Sequence, residues 1–456
     1  MLRLFGHYID RRMAVLAAGD ALILLAFFYA GYFTSYANPD TFASELALYL
    51  PQATLFAGAA MLSMVAIGLY ERGIDFTARS VTTRLATSFA ATFILLAVIS
   101  YVIPEAKLWR SAVAVAIPGS FIAILVMRLL LQASPLGRAF ERRILIVGEP
   151  DRIRDVERIV GETRQSAIRI IDRLPSASAV VRSNDLTTLR RFAEDHDVSE
   201  IVVALGDEQF PEVPIPPLLE CRLAGIPLTD HVAFAERETG RVDLTRLQKS
   251  WLVFSDGFDS SRLDMVAKRI LDVVVSLFVL ILCAPVMVLA AIAVRLGDGG
   301  PVIYSQTRVG RGGQLFLLHK FRSMRTDAEK MGAQWATEND PRITPVGRFL
   351  RATRIDELPQ LWNVLRGEMS FIGPRPERPM FVTQLERELP YFRERHRIKP
   401  GISGWAQVNY AYAATIEDTR IKLEYDMYYV KNWSLFLDFL IIAQTLRVVF
   451  TGNGAR

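Results

Sequence analysis

The sequence predicts a membrane protein in three parts. These are an N-terminal four-helix transmembrane bundle, a central doubly wound α/β module, and a C-terminal, mainly α domain with a re-entrant helical hairpin. Three observations predict it. Apolar residues make up 51% of the 456, high for a purely soluble chain. Four apolar runs open the chain, at residues 13–33, 46–69, 85–103 and 112–131, each near the ~20 residues that span a bilayer. A strand–helix alternation begins at Arg143, and beyond it a further apolar run at 273–294 is interrupted by Pro285. The parts are bounded at residues 1–135, 136–262 and 263–456, with the hairpin at about 270–295.

In the bundle, topology follows from Arg and Lys, which favour the cytoplasmic side. Arg3, Arg11 and Arg12 precede the first run, Arg72, Arg79 and Arg84 fill the second loop, and Arg138, Arg142 and Arg143 follow the fourth run. The first loop has no Arg or Lys and carries Asp40 and Glu45; the third has only Lys107 and Arg110, beside Glu105. The pattern is in-out-in-out-in, with both ends of the bundle cytoplasmic. No small-residue cleavage site follows the first run, which reads as a retained helix. Asp20 lies inside that run. An intramembrane carboxylate is a functional candidate, but nothing else polar at its depth suggests a relay, and a structural role is favoured.

Ile144 to Gly148 reads as a short buried strand, followed by a helix at 151–162, a strand at 168–171, a helix at 185–196, a strand at 200–205 and a helix at 217–224. The first turn, Val147-Gly148-Glu149-Pro150, lacks the second and third glycines of a dinucleotide fingerprint. Close backbone approach to a pyrophosphate is therefore not provided. The module is Rossmann-like without that fingerprint, and a structural or regulatory role is favoured.

The net charge of +5 is modest and dispersed. It suits a membrane surface or phosphate-bearing ligands and argues against nucleic acid. The two cysteines, Cys221 and Cys283, stand far apart, which excludes a disulfide framework or a zinc pattern and leaves packing as their role.

The run at 273–294 is flanked by Lys268 and Arg269 on one side and Arg295 on the other. Basic residues at both ends give no preferred direction across a membrane. Pro285 breaks or kinks a helix. A hairpin entering and leaving on the cytoplasmic side satisfies both facts. Residues 433–450 are apolar but carry Asp438, Gln444 and Arg447, which fits an amphipathic helix in the interface better than a span.

Between these lies a region dense in Arg, Gly and aromatics. Its centre is Thr353-Arg354-Ile355-Asp356-Glu357-Leu358-Pro359-Gln360, which reads as a helix start with Thr353 or Asp356 as N-cap. Alone, an Asp-Glu pair is most often a solvated helix start. Here arginines surround it; their planar donors match phosphate oxygens, and adjacent carboxylates can divide metal binding from contact with phosphorus. The sum points to phosphoryl transfer at a membrane surface, although most individual arginines are better read as solvated or headgroup-facing.

The ordered motifs carry a resemblance. Lys268-Arg269-x-x-Asp272, the apolar run around Pro285, Lys320-Phe321-Arg322-Ser323-Met324, Asp356-Glu357-Leu358-Pro359-Gln360, Gly373-Pro374-Arg375-Pro376-Glu377, Lys399-Pro400-Gly401-Ile402-Ser403-Gly404-Trp405 and Asn432-Trp433-Ser434 occur in that order. Together they resemble the bacterial sugar transferases, the polyprenyl-phosphate hexose-1-phosphate transferases with a monotopic catalytic domain. The likeness covers about residue 263 to the end. The bundle and Rossmann-like module resemble the long form, and Arg3-Leu4-Phe5-Gly6-His7-Tyr8 resembles members of exopolysaccharide systems. One departure is Ala284, where the family often has Ser before the hairpin proline; no hydroxyl there can satisfy a carbonyl freed by Pro285.

The resemblance implies transfer of hexose-1-phosphate from a UDP-sugar to undecaprenyl phosphate, with release of UMP, at the bacterial inner membrane. The acceptor is a phosphate monoester with second pKa about 6, largely ionised at pH 7, so it needs no general base. Asp356 is better employed as nucleophile, forming an aspartyl phosphosugar, and Glu357 as a ligand of Mg²⁺. Arg354 and Arg375 would offset the charge of the diphosphate, with Lys320 and Arg322 as further phosphate contacts. Lys268 and Arg269 would sit near the acceptor phosphate, with Asp272 and Pro285 shaping the hairpin. A homodimer is expected from the long form.

Two other readings compete with this one. A membrane nucleotide-sugar dehydratase needs the Gly fingerprint and a Tyr-x-x-x-Lys pair, and neither is present. A non-catalytic scaffold or sensor binding a nucleotide in the central module is opposed by the intact Asp356 and Glu357. The residues that would read the sugar follow no recognisable motif, so glucose, galactose and N-acetylhexoses all stay open.

Overall fold

The computed structural model describes residues 2–4, 7–9, 11–36, 46–70, 78–106, 108–133, 142–162, 168–176, 178, 181, 183, 185–205, 215–245, 257–258, 261–328, 340–410 and 415–451. By internal contacts the chain divides into two units, residues 1–2 with 8–240 and residues 3–7 with 241–456.

The first unit begins with α1 (Arg11–Tyr36), α2 (Leu50–Ala66), α3 (Ala78–Val102) and α4 (Arg110–Ala133). Among the described residues, α1, α3 and α4 of this unit are long and apolar enough to cross a membrane, as is Arg262–Gly297 of the second unit. α2 has 17 residues, short of the ~20 that span a bilayer. The loop residues Asp40, Glu45, Arg72, Lys107 and Arg138 used for topology lie outside the described residues. The four helices close on one core that includes Leu24, Phe28, Phe56, Met64, Leu85 and Ile124. α1 and α4 approach so closely that a Cβ on Gly31 would meet the Ala112 carbonyl oxygen at 2.6 Å.

Helix pairing also corrects one expectation. Asp20 does have polar partners at its depth: its Oδ2 accepts from Arg128 Nη2 and from the Tyr70 hydroxyl, each at 2.6 Å. Arg128 lies 108 residues further along the chain, so only folding brings the two together. A carboxylate that is fully buried, paired and hydrogen-bonded favours the structural role.

The α/β module is a four-stranded parallel sheet of β1 (Arg142–Gly148), β2 (Ile168–Pro175), β3 (Glu200–Ala204) and β4 (Leu228–Asp230), in the order β2-β1-β3-β4. It alternates with α5 (Pro150–Glu162), α6 (Thr188–Asp195), α7 (Ile215–Leu223) and α8 (His231–Thr239). Both faces of β1 are covered, which is why it reads as a continuous apolar run. Ile144 and Ile146 pack with Val156 and Phe234, while Leu145 and Val147 pack with Leu189 and Cys221. Burial pushes the Cys221 thiol up to about 11, in keeping with a packing role.

The main stretch of the second unit begins at Arg241 because Val242 and Leu244 belong to its core, and Val242 N–H donates to the Glu424 carbonyl at 3.1 Å. Its longest element is α9 (Arg262–Asp298), opened by a reciprocal Ser261–Asp264 capping box and closed by Gly299. The segment expected as a re-entrant hairpin is one 37-residue helix with Pro285 inside it. A proline removes one ladder donor, and the residues on either side keep the rest of the helix.

Both ends of α9 are held by the same unit. Near its start, Lys268, Arg269 and Asp272 bond to β7, α11 and α15, defined below. Near its end, Ala290 and Val294 pack on Phe321 and Leu350. Between the anchors Phe278, Ile281, Leu282 and Val286 are exposed.

Next come the antiparallel pair β5 (Ile303–Val309) and β6 (Leu315–Phe321), α10 (Pro345–Ala352), a 3₁₀ turn at Ile355–Glu357, and α11 (Gln360–Arg366). β7 (Ser370–Ile372), α12 (Pro379–Glu388) and a second 3₁₀ turn at Phe392–Arg397 lead to β8 (Gly401–Ser403), which pairs in parallel with β7. The chain closes with α13 (Trp405–Asn409), α14 (Ile416–Asn432) and α15 (Leu435–Thr451). α14 supplies the centre of the core: Leu423, Met427, Tyr428 and Tyr429 pack with Ile372, Phe392, Trp405 and Leu437. On α15, Asp438 is fully buried and accepts from the Tyr429 hydroxyl, Lys268 and Trp433. Arg447 lies outside the residues whose side chains are described.

Candidate active site

The two carboxylates of the Asp-Glu pair sit where the chain reverses. Thr353 ends α10, its hydroxyl donating to the Phe349 carbonyl at 2.8 Å. Arg354 follows with φ 59°, the left-handed region. A positive φ in a residue with a Cβ is uncommon and marks a sharp local constraint. Asp356 and Glu357 then occupy the 3₁₀ turn, and α11 starts only at Gln360, after Pro359. The helix-start expectation is corrected accordingly. Neither Thr353 nor Asp356 is an N-cap, and the pair is buried rather than solvated, each residue 7% exposed.

The neighbours divide sharply between the two. Glu357 Oε1 is the focus of three cations: Arg375 Nη2 at 2.7 Å, Lys320 Nζ at 3.2 Å and Arg354 Nη1 at 3.7 Å. Arg375 and Lys320 hold its carboxyl well below the usual carboxylate range, against the opposing effect of burial. Asp356 makes no hydrogen bond or ion pair to any described residue. Burial, with the charge of Glu357 added, pushes its carboxyl above the ordinary aspartate value. One carboxylate is thus pinned and the other is buried, close by and uncommitted. Burial also lowers the Lys320 amine, with Glu357 pulling it back up.

Four of the expected site residues beyond Asp356 fall together: Glu357, Lys320, Arg354 and Arg375. The others lie elsewhere. The Arg322 guanidinium lies against Gly300, just past the end of α9. Lys268 donates to Asp438 at 2.8 Å and to the Ile372 carbonyl at 3.2 Å. Arg269 donates to the carbonyls of Val364 and Leu365 at 2.6 and 2.7 Å, covering the C-terminal end of α11. Asp272 accepts from the Ser370 hydroxyl and the Phe371 amide, both at 2.9 Å. Lys268 and Asp272 tie α9 to β7, Arg269 ties it to α11, and β7 runs directly into the Gly373-Pro374-Arg375 turn. Their bonds are architectural: the foot of the apolar helix fixes the strand that delivers Arg375.

Some site residues went unnoticed in the sequence. Arg308, on β5, donates to the Pro376 carbonyl beside Arg375. Gln360 is buried with its Nε2 unpartnered. Both lie in stretches that stood out in sequence, but nothing local assigned either a task.

Among the described residues no group of three or more His, Cys, Asp or Glu side chains forms a metal cage. Mg²⁺ is often held by only one or two carboxylates together with substrate phosphates and water. An uncommitted Asp356 next to Glu357 fits that arrangement and no tighter one.

The model of the bacterial sugar transferase family matches residues 263–452, the segment that holds every residue of this cluster. The Bacillus subtilis sugar transferase EpsL is 42% identical over 195 residues, covering 42% of this chain and 90% of that protein. The chain belongs to the bacterial sugar transferase family. Longer relatives match as well. A UDP-N-acetylgalactosamine-undecaprenyl-phosphate N-acetylgalactosaminephosphotransferase of Aeromonas hydrophila is 46% identical over 239 residues, 52% of this chain and 56% of that protein. A UDP-glucose:undecaprenyl-phosphate glucose-1-phosphate transferase of Escherichia coli K12 is 40% identical over 197 residues, 43% of this chain and 42% of that protein. The chain thus spans about half the length of these longer family members.

Proposed function

We propose that this sugar transferase moves a sugar-1-phosphate from a UDP-sugar to undecaprenyl phosphate, releases UMP, and so begins assembly of an exopolysaccharide or related glycan. The observation that carries the reading is the asymmetry of the pair: Glu357 is pinned by three cations while Asp356 is buried and uncommitted. An uncommitted carboxylate in a cationic, desolvated pocket is suited to nucleophilic attack on phosphorus.

In the first step an Asp356 oxygen attacks the β-phosphorus. The bond from that phosphorus to the bridging oxygen breaks, and UMP leaves with the electron pair. An aspartyl phosphosugar remains. In the second step an oxygen of the lipid phosphate attacks the same phosphorus and Asp356 departs as carboxylate. The acceptor is already ionised, so no base is required. Arg375, Lys320 and Arg354 supply positive charge where two anions must approach. Mg²⁺, held by Asp356 or Glu357 together with the diphosphate, would add Lewis-acid charge there.

The membrane reading belongs to this proposal. Both anchors of α9 sit on one domain, and the exposed stretch between them is apolar. Asp272 and Ala290 are separated by about 27 Å of straight helix at ~1.5 Å per residue, so a straight crossing would put the two anchors on opposite sides of a bilayer. A helix that dips into one leaflet, bends at Pro285 and returns keeps both on the cytoplasmic side. Assembly as a homodimer is part of the same expectation.

The test is UMP release from a panel of UDP-sugars with purified full-length chain, undecaprenyl phosphate and Mg²⁺. The panel begins with UDP-N-acetylgalactosamine and UDP-glucose, the sugars in the names of the relatives. Release that depends on the lipid acceptor is expected from at least one donor, and silence toward all of them would overturn the proposal.

A further inference from the structure

Two successive carbonyls of the Arg375 turn are each held by an arginine, one buried (Arg395) and one partly buried (Arg308). Arg395 Nη2 donates to the Arg375 carbonyl oxygen at 2.9 Å, and Arg308 Nη1 donates to the Pro376 carbonyl oxygen at 2.9 Å. The need is written in the sequence. Pro374 and Pro376 fix their own φ angles, and a residue before proline is steered toward extended conformations. The rings narrow the orientations open to the peptide plane that follows Arg375 without selecting a single one. A donor on its carbonyl selects one.

Arg395 is itself held in place. The same Nη2 lies 2.7 Å from Asp426 Oδ2, with the two side chains 7% and 4% exposed. Its guanidinium also lies over the Phe392 ring, 5.0 Å from the centroid. Asp426 comes from α14, which also carries the buried Leu423, Met427, Tyr428 and Tyr429, and Arg395 from the second 3₁₀ turn. A fixed path therefore runs from the core through Asp426 and Arg395 to the backbone of Arg375, whose guanidinium reaches Glu357 at 2.7 Å. A buried ion pair is a poor stabiliser compared with an apolar pair of the same volume. An apolar pair, however, offers nothing to the Arg375 carbonyl.

We propose that Asp426 and Arg395 are positioning residues for the nucleotide-sugar donor: they lock the Arg375 backbone so that its guanidinium stands beside Glu357 where the donor diphosphate docks. Arg308 provides the second lock, one carbonyl further on. The role rests on the donor being a UDP-sugar, as proposed above. It also accounts for two residues that lie 31 positions apart and touch neither carboxylate of the site.

The experiment measures initial rates of UMP release by the full chain in lipid nanodiscs, varying donor and acceptor separately. It compares wild type, R375A, R395A, the R375A/R395A double variant and D426N, with a thermal melt of each. R395A should raise the donor KM about tenfold, the scale of a displaced binding group, and leave the acceptor KM within about twofold. The double variant should be no worse than R375A alone, because Arg395 acts only through Arg375. D426N, whose amide oxygen still accepts from Arg395, should fall between wild type and R395A. Equal loss toward donor and acceptor, or additive losses in the double variant, would overturn the role. Should R395A not fold, R395Q and D426N are judged by the same donor–acceptor split. Silence of the wild type toward every donor overturns the transferase proposal and this role with it; an active wild type without the split overturns this role alone.

Discussion

Replacing Glu357 by Gln should destabilise the fold while replacing Asp356 by Asn should not, although both changes delete one negative charge from adjacent residues. Glu357 faces nitrogens at 2.7, 3.2 and 3.7 Å. At an effective dielectric of about 20, each such contact is worth about 4–6 kcal/mol before desolvation is subtracted. Breaking a buried pair typically costs about 3–5 kcal/mol net. The Arg375 side chain is 38% exposed and that of Arg354 32%, and water screens their share, so the lower end, about 3 kcal/mol, applies to E357Q. For a domain of this size that lowers Tm by about 6–12 °C. Asp356 is the reverse case. Its folded carboxyl titrates above the ordinary value because burial and Glu357 oppose its charge, so its ionisation at neutral pH destabilises the fold. D356N removes that cost and should hold Tm or raise it. The assay is thermal unfolding of the full chain in one detergent at pH 7. Equal destabilisation by the two changes, or an unaffected E357Q, would refute the division of labour between the carboxylates.

Other expectations follow from the same geometry. The nucleophile must be ionised, so kcat/KM should fall on the acid side through a pKa above that of ordinary aspartate, and K320M, which removes a cation that favours ionised Asp356, should move that limb to higher pH. Stability should show the opposite linkage at Glu357: its folded carboxyl is depressed, so its contribution is present above the unfolded value of about 4.3 and is lost as pH falls toward the folded one. A cysteine placed at the exposed Gln314 should react with an impermeant thiol reagent only in inverted vesicles; labelling in right-side-out vesicles would sink the re-entrant reading of α9. R128A should destabilise the chain by about 3–5 kcal/mol through the unpaired Asp20, and the D20N/R128M double change should recover most of that, read as Tm.

Legibility in the sequence varied with the range of the interaction. The α/β module was readable because β1 is buried on both faces and its apolar run is continuous along the chain. The carboxylate pair was readable as a motif, and so were Lys320, Arg354 and Arg375, since each sits in a dense local stretch. Its setting resembles a helix start in sequence, because a polar-to-apolar switch looks alike before a helix and before a 3₁₀ turn; the left-handed Arg354 decides between them, and no composition signals it. Pro285 suggested a break or a kink, and the helix continues through it. Lys268 and Arg269 read as contacts near the acceptor phosphate, and Asp272 as shaping the hairpin, because all three stand at the end of an apolar run. In the fold their partners are Asp438, the α11 carbonyls and β7, more than ninety residues away. The Asp20–Arg128 and Arg395–Asp426 pairs were invisible for the same reason: separation along the chain hides them.

The account turns on Asp356 forming a bond to phosphorus, and intact-protein mass measurement tests that most directly. The full-length wild type is mixed with its UDP-sugar and Mg²⁺ in the absence of undecaprenyl phosphate, then quenched in acid within a turnover. The account predicts a mass increase of one sugar phosphate, mapped to the peptide bearing Asp356, absent from D356N and discharged by adding the lipid acceptor. An active wild type with no adduct, or an adduct that persists in D356N, would contradict it.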